Sequence, residues 1–66
     1  MPNKIVQKIK DLRKMKKLTQ EDMAKILGYT SAKGYHDIES GRIKLKIEHL
    51  QKISNEFHIP IEKFFE

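Results

Sequence analysis

The residues best equipped to bind a metal or move a proton are His36, His49 and His58, which stand 13 and 9 positions apart. A helical metal pair needs its ligands one turn apart, at i and i+4, and neither interval provides that. No nucleophile, base and phosphate-binding loop accompany them, so enzymatic chemistry has no residues to carry it. Surface or cap positions are expected for all three histidines. The sequence contains no cysteine, which excludes disulfides and thiolate metal sites. Neither a metal nor a cofactor is expected.

What remains is charge. Fourteen Lys and Arg against nine Asp and Glu leave a net charge of +5, divided as +6 over residues 1–33 and −1 over residues 34–66. Such asymmetry suits a polyanionic partner, nucleic acid or an anionic membrane, and it equally fits a solvated lysine-rich surface. With 66 residues, of which 38% are hydrophobic, residues 1–66 read as a single small domain with one core. A chain of this size buries only about 60% of its unfolded surface, so a second copy is a natural source of added stability. The start, MPNKIVQKIK, lacks the apolar stretch of a secretion signal. No run approaches the roughly 18 apolar residues needed to cross a bilayer. A cytoplasmic address is expected.

The elements that must position these charges are short helices, punctuated by Gly28, Gly41 and Pro60. Ile5, Val6, Ile9 and Leu12 recur at helical spacing, opposite Lys4, Lys8, Lys10, Asp11 and Lys14, which gives a first helix over residues 4–16. The second carries a nearly full set of boundary signals. Thr19 caps it and Asp22 stands in for the Glu of a capping box, while Leu18 and Met23 form a hydrophobic staple. Glu21 and Asp22 suit its positive end, and Gly28 supplies the left-handed stop.

Beyond a brief turn at Tyr29 and Thr30, Ser31 caps a third helix with Tyr35 and Ile38 inward, ended by Gly41. Gly34 is an awkward guest there. It marks either a close approach or a helix that begins after it. Ile47, Leu50, Ile53 and Phe57 share one face of a fourth helix. Pro60 ends the His58-Ile59 stretch and opens a last short helix through Glu66. No period-two run is read, and no sheet is expected.

The order of these motifs resembles the Xre/Cro-type, phage repressor-like helix-turn-helix family. The resemblance runs from Ile9-Lys10-Asp11-Leu12-Arg13 through Leu18-Thr19-Gln20-Glu21-Asp22-Met23-Ala24 and Leu27-Gly28. It continues through Ile38-Glu39-x-Gly41 and Ile47-Glu48-x-Leu50-x-Lys52-Ile53 to Ile59-Pro60-Ile61-Glu62-Lys63-Phe64. Pro60 stands where the family usually has a small polar residue. The chain also has one residue more than the commonest family spacing between Leu27-Gly28 and Ile38, so the third helix is best aligned backwards from Ile38-Glu39. Ala24 supplies the small side chain that two closely crossing helices need.

The resemblance implies an all-α fold, a bundle of five short helices of the lambda-repressor-like kind. It also implies a DNA-binding transcription regulator, a repressor in the first instance, and a structural ion pair between Arg13 and Glu39. Aligned from Ile38, the positions facing base edges are Ser31, Ala32, Lys33, Gly34, His36 and Asp37. By donor and acceptor chemistry Lys33 suits guanine, Asp37 suits cytosine or else its i−4 neighbour Lys33, and Ala32 suits a thymine methyl group. Phosphate contacts are expected from Thr19 and Gln20, and from Ser40, Arg42, Lys44 and Lys46 after the third helix.

A homodimer is expected from the few bases one short helix can read. Ile43, Ile61 and one of the adjacent Phe64 and Phe65 are its candidate interface. The rival reading is a protein-interaction module, such as an antitoxin-like or regulatory partner on the same fold. A second regulatory protein is a further candidate partner. A membrane-surface role is disfavoured because the apolar face of the first helix is needed for the core. The expected address then narrows to the nucleoid.

Overall fold

The computed structural model describes residues 4–66 and contains α1 (Lys4–Met15), α2 (Gln20–Ile26), α3 (Ala32–Glu39) and α4 (Ile47–Phe57), followed by a 3₁₀ helix (Ile61–Phe65). The fold is all-α, and of the five short helices expected four are α-helices among the described residues. The last is a 3₁₀ helix. It opens with an i+3 bond from Lys63 N–H to the Pro60 carbonyl at 3.0 Å. None of the described helices is long and apolar enough to cross a membrane.

Each α-helix contributes a narrow apolar stripe to one core. Ile9 and Leu12 come from α1, Met23 and Ala24 from α2, Tyr35 and Ile38 from α3, and Leu50 and Ile53 from α4, with Leu27 and Phe64 completing the set. Burying each large side chain contributes roughly 1.5–3 kcal/mol, which has to offset the ordering of a short chain. Ala24 of α2 is buried, and α2 and α3 share the most extensive contact among the described elements. Phe64 is only 4% exposed and belongs to this core. That corrects its place among the candidate dimer residues and leaves Phe65, at 58% exposure, as the phenylalanine that faces solvent.

The ends of the helices share one solution. After α2 the N–H groups of Gly28 and Tyr29 return to the carbonyls of Lys25 and Ala24. After α3, Gly41 and Arg42 return in the same way to Ile38 and Asp37. This is the Schellman pattern, whose turning residue needs positive φ, and Gly28 and Gly41 both have φ of 86°. At the end of α1 the turning residue is Lys17, with φ 59°, and at the end of α4 it is His58, with φ 55°. Neither position is marked by its residue type.

Three lysines also secure the packing. The Lys52 ammonium donates to the Leu27 carbonyl at 3.3 Å, and Lys8 to that of Lys63 at 3.4 Å. Lys16 lies 5.4 Å from the Phe57 ring centre.

Candidate nucleic-acid interface

Three elements meet at one carboxylate. Arg13 Nε donates to Glu39 Oε2 at 2.8 Å and its Nη1 donates to the Leu18 carbonyl at 3.0 Å, while Gln20 Nε2 donates to Glu39 Oε1 at 3.1 Å. The ion-pair side chains are 13% and 6% exposed, so the pair is shielded from water. Burial alone would raise the Glu39 pKa, but the bonds from its neighbours, Arg13 first, together with the Arg13 charge outweigh it and hold the carboxyl below its usual range. Glu39 in turn raises the pKa of Arg13. Burial, reinforced by the neighbouring carboxylate, pushes the Tyr35 phenol well above its ordinary value. The start of α2 and the end of α3 are thereby locked to α1.

With Tyr35 and Ile38 turned inward, α3 exposes Ser31, Lys33 and His36. Ser31 is the N-cap in extended geometry, and its hydroxyl makes no capping bond. The Lys33 side chain is 73% exposed and its ammonium lies 3.7 Å from Asp37 Oδ2, while the Asp37 side chain is only 15% exposed. Asp37 thus turns back along the helix as the i+4 partner of Lys33, with its Oδ1 buried. Ala32 is half-buried at the helix start. Gly34 lies in the first turn of α3, so the helix does not begin after it. What approaches it is the Tyr29 ring: a Cβ on Gly34 would stand 2.6 Å from Tyr29 Cγ.

The six phosphate candidates occupy the start of α2 and the stretch after α3. At the former, the Thr19 hydroxyl accepts from Asp22 N–H at 3.0 Å and the Asp22 carboxylate accepts from Thr19 N–H at 2.9 Å. Bonding to the Asp22 carboxylate from Thr19, its backbone N–H first and then its hydroxyl, holds Asp22 below the usual carboxylate range. Gln20 is drawn onto Glu39, so its side chain serves the interhelical lock in the free protein. Ser40 donates its hydroxyl to the Asp37 carbonyl at 3.2 Å.

Beyond it exposure alternates. Ile43 and Leu45 tuck against the core while Arg42, Lys44 and Lys46 point to solvent. This five-residue alternation is a period-two signal, contrary to the expectation that the chain has none. It aims three cations outward from one non-helical stretch.

Two further residues bear on the site. Tyr29, read as part of a plain turn, packs over α3. His49, read as a surface or cap residue, accepts the Lys46 N–H on Nδ1 at 3.0 Å and so caps α4 where no serine or threonine is present. Its position at the third residue of α4, where a capping box places its acceptor, was the available signal.

The described residues contain no cluster of His, Asp and Glu able to hold a metal ion. Comparison with known proteins adds one positive finding. No curated protein and no solved structure matches the chain, but the family model described as helix-turn-helix matches residues 9–64. That span takes in α2, α3, the ion pair that locks them and the basic stretch beyond. The chain belongs to the Xre/Cro-like helix-turn-helix family, a family of DNA-binding transcription regulators and not of enzymes.

Proposed function

We propose that the protein is a repressor that binds a two-fold symmetric operator as a homodimer, with α3 in the major groove. The observation that carries this reading is the locked pair of α2 and α3, which leaves Ser31, Lys33 and His36 outward on a helix of eight residues. At 1.5 Å per residue that helix is about 12 Å long, close to the width of the major groove. Lys33 is the main base reader, released from Asp37 when it donates to guanine O6 or N7, and Ser31, Ala32 and His36 flank it. Asp37 contributes by fixing Lys33 more than by reading cytosine, and Gly34 contributes by accommodating Tyr29.

Thr19, Gln20, Ser40, Arg42, Lys44 and Lys46 then hold phosphates on either side and set the register. The extents of the molecule, 28 × 26 × 21 Å, let two copies side by side present α3 to half-sites about 34 Å apart. Phe65 is the proposed dimer surface, with the partly buried Ile61 and Ile43 as further candidates. Occupation of a promoter by such a dimer represses by exclusion, and the protein acts at the nucleoid.

The test is selection of bound fragments from a random double-stranded DNA pool at about 150 mM salt, where non-specific binding is weak. Enrichment of a symmetric site with half-sites one helical turn apart is expected. No enrichment would remove α3 from the reading role and direct attention to a protein partner.

A further inference from the structure

Tyr29 is held at three points. Its backbone N–H bonds the Ala24 carbonyl of α2 at 2.8 Å. Its ring lies where a Gly34 side chain would be, with Cγ and Cδ1 both 2.6 Å from a Cβ at that position. Its hydroxyl lies 3.2 Å from His49 Nε2 of α4. Because His49 Nδ1 accepts from Lys46 N–H, the ring proton is on Nε2, and Nε2–H donates to the Tyr29 hydroxyl oxygen. Burial, then the charges of Lys46 and Lys52, keep the imidazole below its ordinary pKa against the opposing pull of Glu48. The neutral tautomer this bond needs is therefore the favoured one.

Gly34 has no backbone reason to be glycine. It sits inside α3, and the glycines with positive φ are Gly28 and Gly41. Glycine is among the poorest residues for a helix interior, so its use here answers to the ring above it. Gly34 directly succeeds Lys33 and precedes His36 by two positions, so it lies between two of the exposed residues in sequence. Any shift of the ring moves that row relative to α2 and α4.

We propose that Tyr29 is a positioning residue: seated on Gly34 and tethered by His49, it sets the angle at which α3 is presented to DNA. This rests on α3 being the reading helix.

Two measurements test it. The first is a thermal-denaturation cycle of wild type, G34A, Y29A and Y29A/G34A. The G34A change is expected to lower the melting temperature when Tyr29 is present and to raise it when Tyr29 is absent, since alanine is the better helix former once the ring is gone. Equal effects in both backgrounds overturn the interlock.

The second is the ratio of affinity for the selected site to affinity for random DNA, measured on folded Y29A. A loss of about tenfold, the equivalent of one base contact, is expected with an unchanged salt slope. Tyr29→Phe keeps the ring and gives up the His49 bond, so its ratio should fall roughly three- to tenfold. It carries the test alone should Y29A not fold. A wild-type ratio in the variants shows that Tyr29 is packing only and sinks the proposal, leaving the DNA reading intact. A wild type with no preferred site sinks the DNA reading itself and the role of Tyr29 in it, while the melting cycle still reports whether the interlock exists.

Discussion

Glu39 is the residue on which the geometry of the helix pair depends most, because one carboxylate accepts from both Arg13 and Gln20 while 6% exposed. Removing one partner of a shielded ion pair strands the other charge, at a cost of about 3–5 kcal/mol. A domain this small has a total stability of only about 3–10 kcal/mol. Arg13→Ala is therefore expected to lose at least about 3 kcal/mol in urea denaturation, and a loss under about 1 kcal/mol would show the pair to be marginal. The depressed pKa of Glu39 adds a sign. Its folded value lies below the ordinary 4.5. Its contribution is thus complete above pH 4.5 and is lost as pH falls through the folded value. Glu39→Gln should flatten that part of the acid limb, with Asp22, whose carboxyl is also held low, still contributing in both proteins. A limb of unchanged slope in the variant would remove Glu39 as its source. The pair lies 26 positions apart in sequence, and no local pattern predicts such a contact. It was legible only because Arg13 and Glu39 fall at matching places in the family motif.

At the scale of elements, residue type marked some boundaries and was silent at others. Thr19 and Gly28 placed α2 to within a residue or two, since a capping hydroxyl and a left-handed glycine are chemically specific signals. Lys17 and His58 make the same left-handed turn with no such signal. Their φ angles of 59° and 55° are imposed by the next residue along the chain, because the turn brings Leu18 and Ile59 onto the core. A non-glycine residue in that region costs roughly 1–2 kcal/mol, partly offset by the extra freedom glycine has when unfolded. Lys17→Gly and His58→Gly are accordingly expected to raise stability by about 0.5–1 kcal/mol each. Both side chains are exposed, so little packing is lost. A lower melting temperature for both variants would mean that the turns are not strained. The stretch from Arg42 to Lys46 makes the complementary point. Its alternation was in plain view, but a period of two with no partner strand orients side chains without building a sheet.

At the scale of the whole molecule, helical periodicity made the all-α class and most of the core legible, and the adjacent Phe64 and Phe65 show where it runs out. Five residues of 3₁₀ helix are too few for a period to declare which of two neighbours faces inward. Tertiary packing of that turn against α1 and α4 decides it, burying Phe64 and leaving Phe65 58% exposed. The two phenylalanines therefore separate folding from assembly. Phe64→Ala removes a core ring at about 3–5 kcal/mol, enough to unfold most of a marginal domain. Phe65→Ser alters an exposed position and should leave monomer stability within about 0.5 kcal/mol. If Phe65 forms the dimer surface, sedimentation of the Ser variant will show monomer at concentrations where wild type is dimeric. Its binding to the two-half operator will then weaken to that of a single half-site, with helical content unchanged. A variant that still sediments as a dimer would move the interface away from the 3₁₀ helix. Unfolding of F65S to the same degree as F64A would show that both rings support the core and that neither is free to join two copies.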